Sequence, residues 1–150
     1  HVRSRRQRQM CIRDSLTREE CGGSLIGKNV TVLGAAFKPN SDDVRDSPAL
    51  SIAGSLSLSG AAVTVFDPEA MDNAARLFPT LNYAESADDA LRGADLVVVA
   101  TEWQEFRELD PVHVAGLVAA KTPVVIDGRN CLPAEKWREA GWRFRALGRG

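Results

Sequence analysis

The sequence predicts an α/β domain: a doubly wound parallel sheet of about five strands, with helices on both faces in three layers. Three observations carry that expectation. From residue 27 onward, short β-branched or apolar runs alternate with stretches of helical period, the order that a parallel sheet requires. The run Leu96-Val97-Val98-Val99-Ala100 is apolar throughout, as in a strand covered on both faces. Helix-start signals recur at Ser47-Pro48, Asp67-Pro68 and Asp110-Pro111, each pairing a capping side chain with the residue best tolerated at the first helical position.

Residues 29–34 form the first strand, which stops at Gly34. Ser47-Pro48 then opens a helix ending at Gly60; Ala49, Ile52, Ala53 and Leu56 share its inner face, and Leu58 lies opposite, placed to touch another domain or subunit. Residues 61–66 are the second strand, and Asp67-Pro68 caps a helix to about Leu77. A short strand-like stretch covers 81–84, after which Ser86 and Asp89 stand at capping-box spacing before a helix closed by Gly93. The buried strand 96–100 follows, with a second capping box from Thr101 to Gln104. Asp110-Pro111 starts a helix to about Ala120, residues 122–127 form a further buried strand, and 132–140 form a helix closed by Gly141. In the last strand Trp142, Phe144 and Ala146 alternate with Arg143, Arg145 and Leu147.

Composition sets the bounds. With 150 residues, 44% hydrophobic and 26% charged, 12 Gly and 7 Pro, the chain is long enough for a real core and is no disulfide miniprotein, collagen or disordered tail. Its formal net charge of -1 argues against a dedicated nucleic-acid binder. That balance hides a split: Arg3, Arg5, Arg6, Arg8 and Arg13 fall in residues 1–13 with no acid, so of 19 basic and 20 acidic residues the rest of the chain keeps a net charge of -6. The stretch Arg8-Gln9-Met10-Cys11-Ile12-Arg13-Asp14-Ser15 resembles a translated sequencing adaptor, and the chain opens on His1 as a fragment would. The expected organisation is a non-native or disordered tail over 1–15, a linker over 16–26 and one domain over 27–150.

Cys11, Cys21 and Cys131 are odd in number and widely spaced, which reads as reduced cytoplasmic thiols with neither a disulfide framework nor a metal pattern. The longest apolar run is far too short to span a bilayer. His113 sits inside a helix and His1 in the tail, so no histidine-centred triad or metal cluster can be built.

In open parallel sheets, ligands bind beyond the carboxyl ends of the strands. That selects residues 35–47, Asp67-Pro68, residues 101–106 and residues 127–130. The first segment, Gly34-Ala35-Ala36-Phe37-Lys38-Pro39, stands where a dinucleotide fold carries G-x-G-x-x-G but lacks the second and third glycines, so a self-sufficient site of that type is not expected. Lys38 could instead meet phosphate or carboxylate oxygens, and Phe37 could pack on a flat ring; a surface lysine beside a core aromatic reads equally well. Arg45, flanked by Asp43 and Asp46, could contact a phosphate or a cofactor. In Asp127-Gly128-Arg129-Asn130, Gly128 would let the backbone turn and present Arg129 to the same edge. Asp67 closes the second strand, where dinucleotide folds keep a ribose-binding acid, but with Pro68 and a helix following it a plain cap is the stronger reading. Glu102 and Trp103 read as neighbours of the capping Thr101, with Trp103 structural and a contact of either with the site as the alternative. Three cations on separate loops at one edge of an acidic domain point to an anionic ligand, a nucleotide or nucleotide sugar.

Together these segments resemble a known family. Residues 32–50, then Thr101-Glu102-Trp103 with Glu105-Phe106-Arg107, then Asp127-Gly128-Arg129-Asn130, are similar in order and spacing to the C-terminal UDP-binding, Rossmann-like domain of the UDP-glucose dehydrogenases. The resemblance implies an NAD-dependent, two-step oxidation of UDP-glucose to UDP-glucuronate, through a cysteine that carries a thiohemiacetal and then a thioester. It further implies that Phe37 and Lys38 contact the UDP-sugar, that Arg129 contacts it across a domain or subunit boundary, and that Arg45 reaches NAD held mainly by another domain. The family's N-terminal dinucleotide-binding domain and central helical segment, which carries the catalytic cysteine, do not match anything here; Cys21 in Glu20-Cys21-Gly22-Gly23-Ser24 has the wrong residue order. No catalytic residue and no metal ligand is therefore expected in this stretch, which would be inactive alone, and the partners implied are the N-terminal and central domains of a cytoplasmic parent enzyme, itself a homo-oligomer. The same domain of a UDP-N-acetylmannosamine or GDP-mannose dehydrogenase, or a non-catalytic nucleotide-binding assembly module, stands as the alternative.

Overall fold

The computed structural model describes Thr17, Glu19, Glu20 and residues 23–36, 38, 40, 42–45 and 47–146. The expected tail over 1–15, together with Cys11, Cys21, Phe37 and Leu147, lies outside the described residues. The described chain forms one sheet with strands β1 (Asn29–Leu33), β2 (Ala62–Phe66), β3 (Asn82–Tyr83), β4 (Leu96–Val99), β5 (Val124–Asp127) and β6 (Arg143–Ala146). All pairings are parallel and the spatial order is β3-β2-β1-β4-β5-β6. Six strands replace the expected five or so, because the stretch at 81–84 pairs with β2 through Thr64 and Val65.

The helices α1 (Pro48–Leu58), α2 (Met71–Leu77), α3 (Ala87–Leu91), α4 (Gln104–Arg107), α5 (Pro111–Ala115) and α6 (Ala134–Glu139) connect the strands. Ser47 caps α1 by accepting from the Leu50 N–H at 3.4 Å, and Ser86 caps α3 by accepting from the Asp89 N–H at 3.1 Å. Asp110 accepts from the Val112 N–H at 3.0 Å, but α5 stops at Ala115 and not near Ala120, the chain turning at Gly116. Leu58 is 92% exposed, on the side of α1 away from the sheet.

All four residues of β4 are buried. Successive side chains of a strand point to opposite faces, so the centre of the sheet is covered on both sides and the fold has three layers. Thr31, the buried polar residue of β1, is satisfied there: its hydroxyl donates to the Ala90 carbonyl and ties β1 to α3. At the β6 edge, Trp137 and Trp142 meet edge to face at 4.9 Å. The segment preceding β1 reaches this edge as well. Glu20 accepts from Arg143 Nε at 3.0 Å and Arg145 Nη1 at 2.6 Å, and its side chain is only 6% exposed. An ion-paired segment beside an outer strand limits edge-to-edge association.

Candidate functional site

The strand order places β1 between β2 and β4, and the chain reverses direction across the sheet between β1 and β4. The loops beyond the carboxyl ends of these strands define the crevice where ligands of such folds bind. Here that edge is organised by two buried aspartates, one at the end of β2 and one at the end of β5.

Asp67 is 1% exposed. Its Oδ2 accepts from the Ala35 N–H at 2.8 Å, the Ala36 N–H at 3.0 Å and the Trp103 indole N–H at 3.0 Å. Its Oδ1 accepts from the Glu69 and Ala70 N–H groups, both at 2.9 Å. One carboxylate thus joins the loops after β1, β2 and β4, which is more than the plain cap expected; α2 itself begins later, at Met71. A carboxylate offers roughly four acceptor sites, and these donors occupy them all.

Side chains of the β4 loop alternate in burial, Thr101 and Trp103 being buried and Glu102 part-exposed. Thr101 turns inward and donates to the Ala36 carbonyl at 3.2 Å, while Trp103 turns inward to Asp67. Thr101 therefore does not cap α4, whose N-cap position is Trp103 without a side-chain bond. Glu102, between them, turns the other way: its Oε2 accepts from Arg129 Nε at 2.9 Å and lies 2.8 Å from Nη2.

Arg129 is held by its own loop. Asp127, fully buried, accepts from the Arg129 N–H at 3.0 Å through Oδ1 and from the Leu132 N–H at 2.8 Å through Oδ2. Gly128 lies in the turn after β5, as expected, and the left-handed residue there is Asn130, at φ 54°; asparagine tolerates that region because its short polar side chain can bond locally.

Lys38 is exposed. Arg45 is exposed too and grips Asp43 with a fork, Nε to Oδ1 and Nη2 to Oδ2 both at 3.1 Å, while its N–H donates to Oδ1 at 3.0 Å. These bonds from Arg45, helped by the charge of Lys38, hold the Asp43 carboxyl below its ordinary range. Two clefts open between the loops. One of about 420 Å³ is lined by Asp42, Asp43, Val44, Arg45, Asn73, Arg76 and Leu77. The other, of about 560 Å³, is lined by Asn40, Asp42, Glu69 and Trp103. Among the described lining residues, neither cleft includes Lys38 or Arg129, so the three cations share an edge without sharing a cavity.

A dinucleotide does not fit this edge in the usual way. The Ala35 and Ala36 N–H groups, near which a pyrophosphate would lie, are taken by Asp67, and Thr101 fills the space beside Gly34. The Asp67 carboxylate, at the position of a ribose-binding acid, is spent on N–H groups. Among the described residues no cluster of three or more metal-ligating side chains occurs, and no helix is long and apolar enough to cross a membrane.

Cys131 lies 3.7 Å from Asp127 Oδ1. Burial, reinforced by the Asp127 charge, pushes its thiol up to about 12 from an ordinary 9.0. At pH 8 only about one thiol in 10⁴ is then a thiolate, and the thiolate is the reactive form. Peptide mapping after iodoacetamide treatment of the folded chain should find Cys131 almost unlabelled at pH 8 and labelled rapidly in urea; fast labelling of the native chain would contradict the geometry. The sign for stability follows: below pH 9 the thiol is protonated in both states, and from there upward the unfolded chain loses the proton first, so stability falls as pH rises.

Residues 31–134 match the family model described as "UDP-glucose/GDP-mannose dehydrogenase family, UDP binding domain". The UDP-glucose 6-dehydrogenase of Rhizobium meliloti strain 1021 is 41% identical over 128 residues, covering 85% of this chain and 29% of that protein. Among solved structures, a UDP-glucose dehydrogenase from Pyrobaculum islandicum aligns with a TM-score of 0.74 and 34% identity, covering 91% of this chain and 30% of that one. A UDP-D-ManNAc dehydrogenase from Pyrococcus horikoshii aligns with a TM-score of 0.77 and 27% identity, over 96% of this chain and 32% of that one. The chain spans less than a third of the length of the curated relatives it matches.

Proposed function

This chain belongs to the UDP-glucose/GDP-mannose dehydrogenase family, and from that premise we propose that it binds the nucleotide sugar in an NAD-dependent oxidation of UDP-glucose to UDP-glucuronate. Residues 27–150 are the domain in this reading, with Phe37, Lys38 and Arg129 toward the UDP-sugar and Arg45 toward the cofactor. The observation that carries it is the open, cation-bearing edge: Lys38, Arg45 and Arg129 project from loops on either side of the crevice, and among the described residues neither of its two clefts gathers them. An edge that attracts a diphosphate but does not enclose it suits half of a site whose other wall comes from the N-terminal and central domains, or from a second subunit.

The chemistry assigned to this chain is binding and orientation. A guanidinium presents paired N–H donors matched to phosphate oxygens, and an ammonium adds a mobile point charge. NAD supplies the hydride acceptor when bound. Because Asp67 takes the Ala35 and Ala36 N–H groups near which a pyrophosphate would lie, the cofactor is held elsewhere in this reading, and Arg45 at most touches it.

In the full-length dehydrogenase, Lys38→Ala and Arg129→Ala should each lower kcat/KM for UDP-glucose by the equivalent of about 1.5–3 kcal/mol, the scale of one lost charged contact. Arg45→Ala should chiefly raise KM for NAD. Steady-state kinetics with each substrate varied in turn measure both, and a Lys38→Ala enzyme indistinguishable from wild type would remove that residue from the site. A comparison of UDP-glucose with UDP-N-acetylmannosamine and GDP-mannose tests the substrate, and a preference for either of the latter would overturn the glucose assignment.

A further inference from the structure

The Glu102–Arg129 pair does more than decorate the edge. β4 and β5 are neighbours, and Val99 pairs with Asp127, so the residues just beyond these strand ends emerge side by side. Glu102 holds one edge of the Arg129 guanidinium, Nε and Nη2, through a single oxygen. The Nη1 group, on the other edge of the fork, has no acceptor among the described residues. The pair is partly sheltered, with side chains 35% and 22% exposed for Arg129 and Glu102.

The backbone of Arg129 is fixed independently of this contact, by Asp127 and by the left-handed turn at Asn130. Glu102 therefore restrains the side chain alone. An arginine free on a surface loop must give up rotamer freedom when it grips an anion; one whose guanidinium is already held loses less. Trp103 and Thr101, on either side of Glu102 in sequence, are locked inward, so the carboxylate that does the holding is itself carried on a rigid segment.

We propose that Glu102 is a positioning residue for the nucleotide diphosphate, acting through Arg129. The inference rests on the reading of Arg129 as an anion contact. It opposes the alternative in which Glu102 competes with the ligand for the guanidinium, and the two differ in sign.

The test uses the full-length dehydrogenase, with UDP as a competitive inhibitor and UDP-glucose as substrate. Glu102→Ala should raise both the UDP inhibition constant and KM for UDP-glucose about 5- to 30-fold, the range of one coupled polar contact. It should leave kcat within about twofold and KM for NAD unchanged. Glu102→Gln, which keeps an oxygen acceptor at the same reach, should recover most of the loss. In an Arg129→Ala background, Glu102→Ala should add nothing. Unchanged or tighter UDP binding by Glu102→Ala, or an effect that persists undiminished without Arg129, would overturn the proposal while leaving Arg129 in the site. An Arg129→Ala enzyme with normal UDP binding would overturn the reading and this inference with it.

Discussion

Replacing Asp67 with alanine is expected to lower the free energy of unfolding by about 3–5 kcal/mol, the cost of removing one side of a buried charged network. The reason is the number of groups that depend on it. The N–H groups of Ala35, Ala36, Glu69 and Ala70 and the Trp103 indole all donate to this one carboxylate. Ala35, Ala36, Ala70 and Trp103 are buried, so water cannot readily replace the lost acceptor. Asp67→Asn should recover little, because an amide turns an N–H₂ toward groups that are themselves donors. The losses are not additive, since the loops can shift together. Urea unfolding followed by tryptophan fluorescence measures the effect. A loss below about 1 kcal/mol for Asp67→Ala would show that the three loops do not depend on this carboxylate.

Gly34→Ala should be comparably damaging, at about 3–5 kcal/mol, from backbone strain and overpacking together. Gly34 has φ +118°, a conformation that L side chains rarely adopt. A Cβ there would meet Thr101 Oγ1, with the Thr101 Cβ at 2.7 Å and its backbone N at 2.8 Å. The last contact decides the experiment. Trimming the side chain with Thr101→Ala removes Oγ1 but moves neither Cβ nor the backbone N, so the Gly34→Ala/Thr101→Ala double variant should stay close to the Gly34→Ala single variant in stability. Full rescue by Thr101→Ala would mean that the β4 loop is softer than its hydrogen bonds imply.

The fold was legible because its signals are local. The β-branched run of β1, the apolar β4, and the caps at Ser47, Ser86 and Asp110 each act within a few residues, and they stand where the sequence placed them. Local signals were weakest where a tertiary partner competed or was needed. Thr101 has the spacing of a cap, yet its hydroxyl is drawn to Ala36, far away in sequence. The stretch at 81–84 has a weak strand pattern by itself and becomes β3 only because Thr64 and Val65 offer it a ladder. The turn at Gly128 could be read locally, whereas the gathering of the loop N–H groups by Asp127 and the left-handed Asn130 could not.

The candidate site divides in the same way. Lys38, Arg45 and Arg129 could be named from sequence because cations after strand ends of a parallel sheet gather at one edge, whatever the packing details. For Asp67 the sequence favoured a cap over a ribose-binding acid, and for Glu102 the neighbour of a cap over a site contact. Both depend on partners far away in the chain: Asp67 on Ala35, Ala36 and Trp103, and Glu102 on Arg129.

Periodicity and capping chemistry are properties of neighbouring residues, so the order of the chain alone specified a parallel α/β sheet with its cations at the carboxyl edge. Whether a buried carboxylate serves a ligand or the fold is set by which N–H groups reach it across the sheet. Packing settled that: Asp67 is taken up by N–H groups of three loops, and Glu102 is turned outward, where it pairs with Arg129.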